Sequence, residues 1–124
     1  ISGLSNDCRT IEENAEKGHA GAVLALEIFS YRLAKYVAAM AVAAGGVDAV
    51  VFTGGIGENS NVIREKVLAY CEFLGLKADH ERNLAARFGN GGYITAENSP
   101  VAGVVIPTNE ELMIAHDTAR LSGL

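Results

Sequence analysis

Residues 47–60 read VDAVVFTGGIGENS, and this stretch decides the fold. Its first half is a β-branched apolar run beside glycines, which predicts a buried strand over Val47–Thr53. Its second half places three glycines in four positions, which predicts a tight loop over Gly54–Gly57. Helical periodicity then resumes, so we expect a helix from about Ser60 to Phe73. A strand, a glycine turn and a helix in this order indicate an α/β fold.

The segment before this strand predicts a long helix over Ala20–Ala44. Apolar residues recur there at three- and four-residue steps on two stripes, so the helix is expected to pack on more than one side. The first stripe comprises Leu26, Phe29, Leu33, Val37, Met40 and Ala44, and the second comprises Leu24, Ile28 and Tyr31. Gly45–Gly46 ends the helix, and Gly18–Gly21 separates it from an earlier helix that begins near Arg9–Ile11.

Two capping boxes are predicted, one near each end of the chain. Thr10 with Glu13 fits the pattern for the first helix. Thr108 with Glu111 fits it for a last helix, which follows a second apolar β run over Val101–Pro107. Weaker patterns predict short strands at Leu76–Ala78 and Tyr93–Thr95, and a helical turn at Glu81–Phe88 that Asp79 caps. No repeat or linker divides residues 1–124, so we predict one domain or lobe.

The composition excludes several classes of protein. The chain has 124 residues, with 10 Lys and Arg against 15 Asp and Glu, and a net charge of −5. This balance, without a basic cluster, argues against nucleic acid as a partner. The longest uncharged apolar run, Tyr36–Val47, is too short to span a membrane. Two cysteines are too few for a disulfide framework, and no histidine has a partner at metal-ligand spacing.

The glycine turn is the strongest candidate site. Glycines allow a ligand to approach the main chain, and the helix that follows offers unpaired N–H groups to a phosphate or a nucleotide edge. Glu58 and Asn59, which flank the turn, can hydrogen-bond a ribose or a base. The spacing matches neither the dinucleotide fingerprint nor a P-loop. A plain structural turn between strand and helix is the alternative.

Two further places carry charged groups that have both a structural and a functional interpretation. Glu110 follows the second β run, where its carboxylate either favours the first helical turn or holds Mg²⁺, often through water. Asp7 is a good helix cap, with Arg9 then solvated. Alternatively, Asp7 and Arg9 lie at the edge of a cleft, with Arg9 near phosphates or an aromatic base.

Together these motifs resemble the acetate kinase family, the acetate/propionate kinases. Residues 48–59, DAVVFTGGIGEN, are similar to the family's second signature, and residues 5–9, SNDCR, resemble its S-x-D-x-R loop. The similarity continues through residues 62–65, 79–83 and 105–112, in order and over essentially the whole chain.

The resemblance implies the C-terminal third of a two-lobe kinase whose N-terminal lobe is absent from this chain. The implied fold is part of the C-terminal lobe of an actin/Hsp70/sugar-kinase-like (ribonuclease H-like) α/β fold. The family transfers phosphoryl between ATP and acetate, with Mg²⁺, to give acetyl phosphate and ADP. By residue, the resemblance implies ATP contacts at Asp7, Cys8, Arg9, Gly55, Ile56, Gly57, Glu58 and Asn59, and a magnesium ligand at Glu110.

The resemblance also implies a cytoplasmic homodimer. The groups that position the transferring phosphoryl, and the pocket for acetate, propionate or butyrate, belong to the N-terminal lobe. We therefore assign no catalytic residue here and expect the chain alone to be inactive, because half of the charge-stabilising clamp is missing. The alternative is a noncatalytic oligomerisation module in which the glycine turn is only structural. The two-sided helix over Ala20–Ala44 favours an interface under either interpretation.

Overall fold

The computed structural model describes residues 1–123, and these residues combine six α-helices with a small three-stranded sheet, as in an α/β fold. The elements are α1 (Cys8–Glu16), α2 (Ala20–Ala44), β1 (Ala49–Phe52), α3 (Gly54–Asn59), α4 (Asn61–Tyr70), a 3₁₀ turn (Glu72–Leu74), α5 (His80–Ala85), β2 (Gly92–Tyr93), β3 (Ala102–Val105) and α6 (Glu110–Ser122). The α/β prediction is therefore confirmed.

A small mixed sheet sets the position of two of the three predicted sites. The strand order is β1-β3-β2, with β1 parallel and β2 antiparallel to β3. Ala49 pairs with Ala102 and Phe52 with Val105. Because β1 and β3 are parallel, their carboxyl ends lie at one edge of the sheet. The glycine turn after β1 and the start of α6 after β3 therefore meet at that edge.

The helix α2 has the predicted bounds, and a capping residue explains where it begins and where it ends. His19 is its N-cap, where Nδ1 accepts a hydrogen bond from the Ala22 N–H at 3.2 Å. Gly45 ends the helix with a φ of +75°, which is the left-handed conformation that glycine adopts without strain. The helix packs against α1 and α4. The shared core is formed by residues such as Leu26, Ala34, Ile63, Val67, Leu68 and Cys71.

The predicted first stripe of α2 is buried only in part, because its Phe29 and Met40 are exposed like Leu24 and Tyr31 of the second stripe. On the first stripe Leu26 is buried, and Leu33 and Val37 pack against the core. The outward residues are exposed, with Tyr31 at 51% and Met40 at 62% of their full accessible surface. The helix therefore covers the core of this chain with one side only, and leaves an apolar side uncovered by residues 1–123.

The predicted buried strand over Val47–Thr53 is wrong in two respects. The strand is shorter, Ala49–Phe52, and Val51 is 51% exposed, while Phe52 is buried. Exposure alternates along β1, with Ala49 and Val51 exposed and Phe52 buried, so Val51 faces the side of the sheet that the described residues leave uncovered.

The predicted tight loop over Gly54–Gly57 is also corrected, because these residues form the first turn of α3. The single helix expected from Ser60 is interrupted as well. Ser60 caps α4 by accepting the Ile63 N–H at 3.1 Å, and the helix ends at Tyr70 before the 3₁₀ turn.

Neither predicted capping box forms. Asp7 caps α1, accepting the N–H groups of Arg9 and Thr10, so the cap lies three residues before Thr10. Asn109 caps α6, accepting the Leu112 N–H at 3.0 Å. Thr108 is displaced from this role because its hydroxyl donates instead to Glu58.

The weakly patterned segment between α4 and β3 is confirmed in part. Asp79 caps α5 as predicted, and its carboxylate accepts the Arg82 N–H at 3.0 Å. Leu76 and Ala78 form only isolated bridges, and the strand near Tyr93 is two residues long. None of the helices within residues 1–123 combines the length and the hydropathy that a membrane span needs.

Candidate functional site

The structure brings the two predicted nucleotide segments together. The loop before α1 and the first turn of α3 line one cleft of about 670 Å³, although they are far apart in sequence. The predicted contacts that line it are Asp7, Cys8, Arg9, Gly55, Ile56 and Asn59. Gly57 and Glu58, also predicted as contacts, lie outside this lining and have other surroundings.

Asp7 serves the fold and the cleft wall at once. Its Oδ1 accepts the Arg9 N–H at 2.9 Å, and its Oδ2 accepts Arg9 Nη2 at 3.1 Å. These bonds, the side-chain pair with Arg9 first, hold the pKa of Asp7 below its usual value. The carboxylate thus orients a guanidinium at the cleft, where its planar face can stack on a base. Asp7 also caps α1, and the Arg9 side chain is exposed, as the structural interpretation predicts.

Cys8 is a protonated side chain of the wall rather than a nucleophile. Burial, and then the neighbouring Glu12 carboxylate, raises the pKa of the Cys8 thiol to about 11. Its Sγ lies 3.7 Å from Glu12 Oε1, which also accepts a hydrogen bond from the Ser60 hydroxyl. The carboxylate of Glu12 therefore ties α1 to the start of α4 at the base of the cleft.

The three glycines of the turn differ in backbone conformation and in the space around them. Gly54 has a φ of +71°, in the left-handed region. A Cβ on Gly55 would meet open space, so this backbone is accessible from the cleft. A Cβ on Gly57 would come within 3.1 Å of the Phe52 carbonyl carbon, so this glycine lets α3 pack closely on β1. Only Gly55 therefore has the surroundings of a ligand contact.

Glu58 joins the ends of the two parallel strands. Its Oε1 accepts the Gly54 N–H at 2.9 Å, the Thr108 N–H at 2.9 Å and the Thr108 hydroxyl at 2.8 Å. The bonds from Thr108, followed by that from Gly54, hold the pKa of Glu58 below its usual value. The ionised carboxylate therefore fixes the glycine turn to the segment that leads into α6.

Asn59 links the turn to a second wall of the cleft. Its Nδ2 donates to the Gly55 carbonyl at 3.0 Å, and its Oδ1 accepts the Phe88 N–H at 3.2 Å. Phe88 and the preceding Arg87 also line the cleft. Neither was predicted as a site residue, because a helix-terminal Arg-Phe pair carries no motif that sequence reasoning recognises.

Arg64 is a third residue near the site that was not predicted from the sequence. It is fully buried in α4, and Nη1 donates to the Gly57 carbonyl at 2.8 Å. Nε donates to Asn83 Oδ1, and Nη2 to the carbonyls of Asn83 and Ala86, at 2.7–2.8 Å. Burial, and then the charge of Arg87, holds the pKa of Arg64 below its usual value. Arg64 thus fastens the glycine turn to the end of α5.

Glu110 is an exposed carboxylate on the first residue of α6. Because Asn109 is the cap, Glu111 occupies the second helical position and not the third, so the predicted fold-back of its carboxylate does not occur. Within residues 1–123 no three His, Cys, Asp or Glu side chains come together as a metal cluster. One carboxylate completed by water and phosphate oxygens is a donor set that Mg²⁺ accepts, and the role of Glu110 as a magnesium ligand stays a prediction.

None of the three histidines lines the cleft. His19 caps α2, and His116 is exposed on α6. His80 Nδ1 lies 2.9 Å from Glu65 Oε1 on the surface, and this hydrogen bond raises the pKa of His80. His80 therefore stabilises a contact between α5 and α4.

The parallel strands, the helices that follow them and the cleft define an α/β segment of the actin-like kinase fold. The model of the Acetokinase family matches residues 1–116, and the chain belongs to this family.

Known relatives agree with this assignment. The chain is 73% identical over 124 residues to "Acetate kinase 1" of Neisseria meningitidis, covering all of this chain and 31% of the relative. Among solved structures, the acetate kinase of Porphyromonas gingivalis superposes with a TM-score of 0.85 at 46% identity, over 97% of this chain and 30% of that one. A propionate kinase of Francisella tularensis gives a TM-score of 0.78 at 44% identity, over 89% and 27%. The chain thus spans about 31% of the length of the first of these relatives.

Proposed function

We propose that the chain is the ATP-binding, C-terminal segment of a kinase that transfers phosphoryl between ATP and a short-chain carboxylate. With acetate the products are acetyl phosphate and ADP. The observation that carries the proposal is the convergence of the Asp7–Arg9 loop and the Gly55 turn on one cleft at the carboxyl edge of the sheet. Ligands of open α/β sheets bind at this edge.

The residues of the cleft suit a nucleoside. The open main chain at Gly55 allows close approach, and the guanidinium of Arg9 offers a planar cationic face for the base. Asn59 keeps part of its amide hydrogen-bonding capacity for a ribose or base. Gly57 and Glu58 support the site indirectly, through packing on β1 and through the bonds to Thr108.

Glu110 is the proposed magnesium ligand. When bound, Mg²⁺ neutralises phosphate charge during transfer. Glu58 holds Thr108, two residues before Glu110, against the glycine turn. The metal ligand and the nucleotide cleft thus share one rigid edge of the sheet.

The test separates binding from turnover. We expect isothermal titration to show ADP binding to the intact kinase that contains this segment. That enzyme should form acetyl phosphate from ATP and acetate, measured by hydroxylamine trapping. The isolated chain should give no product above background, because the groups that position the transferring phosphoryl lie outside it. An intact protein that binds no ADP contradicts the proposal, and product from the pure isolated chain contradicts the need for a second lobe.

The apolar side of α2 supports a second proposal, that the kinase is a homodimer built partly on this helix. The side is lined by exposed Leu24, Phe29, Tyr31, Tyr36 and Met40. Contiguous apolar patches of this kind are characteristic of protein interfaces. The same patch would serve a noncatalytic oligomerisation module, and ADP binding by the intact protein distinguishes the two.

A further inference from the structure

The turn that follows α5 has an unusual backbone at the mouth of the cleft. Among residues 1–123, Phe88 is the one non-glycine residue with a positive φ, +54°. An aromatic residue pays a conformational cost in this region, and such strain concentrates at functional sites. The ring gains little burial in return, because Phe88 is 81% exposed while lining the cleft.

The side chain of Asn59 connects the turn at Phe88 to the glycine turn. The Phe88 N–H donates to Asn59 Oδ1 at 3.2 Å, and Asn59 Nδ2 donates to the Gly55 carbonyl at 3.0 Å. The same amide therefore sets the position of Phe88 and of the open main chain at Gly55. The aromatic ring is presented to the cleft by a fixed support.

Arg87 adds a polar group that lacks a partner. Its Nε is buried and donates to no acceptor among the described residues, and its guanidinium lies over the Phe88 ring at 4.9 Å. The carboxylate of Glu12 accepts from Ser60 and Cys8 at Oε1, and Arg87 Nε does not donate to it. A buried donor without an acceptor is costly, so a shift of the Arg87 side chain toward an acceptor on a ligand in the cleft would be favourable.

We infer that Arg87 and Phe88 form a further nucleoside-binding element of this cleft, in which Phe88 packs on the base and the Arg87 guanidinium donates to the nucleoside. The inference rests on the proposed ATP-binding function. It adds a third segment to the Asp7–Arg9 loop and the Gly55 turn. The class of ligand is a nucleotide, because a flat base uses an exposed ring that phosphate alone does not.

Four variants of the intact kinase test the two residues. Phe88→Gly removes the ring and also relieves the positive φ, so a loss of binding cannot be attributed to added strain. Phe88→Leu keeps apolar bulk without an aromatic face. Arg87→Gln removes the charge and Nε. Phe73→Ala is the matched control, since this phenylalanine is 74% exposed and lies outside the cleft lining.

The readouts are the dissociation constant of ADP by isothermal titration and the melting temperature. We expect Phe88→Gly to weaken ADP binding at least about 5-fold, the usual scale of a base–aromatic contact, with an unchanged or higher melting temperature. Phe88→Leu should weaken it less, Arg87→Gln should weaken it also, and Phe73→Ala should leave it unchanged. Inorganic tripolyphosphate, which has no base, should bind wild type and Phe88→Gly equally.

Failure of this inference is distinguishable from failure of the proposed function. If wild type binds ADP and both Phe88→Gly and Arg87→Gln bind it equally well, the inference is overturned and the ATP-binding proposal stands. An equal loss in Phe73→Ala, or an equal loss for tripolyphosphate, also overturns it. If wild type binds no ADP, both proposals fail together.

Discussion

Replacing Arg64 by lysine is the sharpest test of how the cleft is built. Arg64 lies outside the cleft lining, yet its guanidinium holds the glycine turn through the Gly57 carbonyl and the end of α5 through the carbonyls of Asn83 and Ala86. Arg64→Lys keeps the charge and much of the volume. It replaces a planar fork of donors with a single ammonium.

The expected loss follows from the number of acceptors. Arg64 serves four acceptors that lie around its fork, and one ammonium can face about two of them. Each buried acceptor left without a donor costs about 1–3 kcal/mol, so two cost about 2–6 kcal/mol of unfolding free energy. The cost of burying a charge remains, because lysine is also cationic. We therefore expect the melting temperature of the intact kinase to fall by at least about 5 °C.

The assay pairs thermal denaturation with ADP titration. Arg64→Lys should also weaken ADP binding, since the released carbonyl of Gly57 belongs to the turn that presents Gly55. Arg120→Lys is the control, because Arg120 is an exposed surface residue paired with Asp117. A melting temperature within about 1 °C of wild type, together with unchanged ADP affinity, would refute the reasoning.

Four other predictions concern the turn, the metal, the surface and the assembly. Gly55→Val should raise the Michaelis constant for ATP far more than that for acetate with little loss of stability, whereas Gly57→Ala should lower the melting temperature, because its Cβ meets the Phe52 backbone at 3.1 Å. Glu110→Ala should need much more Mg²⁺ for half-maximal rate, and Glu111→Ala should have a near-normal requirement in the same titration. His80→Gln should lower the melting temperature more at about pH 6 than at about pH 9. The pKa of His80 is raised in the folded protein, so its bond to Glu65 stabilises the fold fully below the ordinary pKa of 6.5. This stabilisation is lost as the pH rises through the raised pKa. Light scattering of the intact kinase at micromolar concentration should give the mass of a dimer.

Each of these has an outcome that counts against it. Equal changes in both Michaelis constants, in a folded Gly55→Val enzyme, would remove the nucleotide assignment of the turn. A larger shift in magnesium requirement for Glu111→Ala would reverse the metal assignment. A pH-independent effect of His80→Gln, or a strictly monomeric enzyme, would contradict the remaining two.

Helix bounds and caps were predictable from the sequence where residues close together in the chain determine them. The bounds of α2 follow from Gly45 and from the break before Ala20, and Asp79 caps α5 as its side-chain type and position indicate. The predictions that failed concern residues whose hydrogen-bond partners lie far away in the sequence. Thr108 fits a capping box by pattern, but Glu58, which lies 50 residues away, takes its hydroxyl, and Asn109 becomes the cap.

From residue patterns alone the cleft was predictable as two separate segments, and it was the family resemblance that assigned both to one ATP site. Glycine spacing marks the turn, yet it does not distinguish Gly55, which faces open space, from Gly57, which packs on Phe52. Arginine is normally exposed, so nothing near Arg64 in the sequence indicates burial. Its acceptors come from residues 57, 83 and 86, and only the folded chain brings them together.

The place of β1 at the end of the strand order has a practical consequence for expressing this segment by itself. An edge strand offers a row of unpaired N–H and C=O groups to any other extended chain, and Val51 adds an apolar side chain there. The exposed apolar side of α2 lies next to it in sequence and adds a second adhesive surface. We therefore expect concentration-dependent aggregation to limit the isolated segment before loss of its fold does. A charged residue in place of Val51 should relieve the aggregation while leaving the core of Leu26, Ile63 and Leu68 intact.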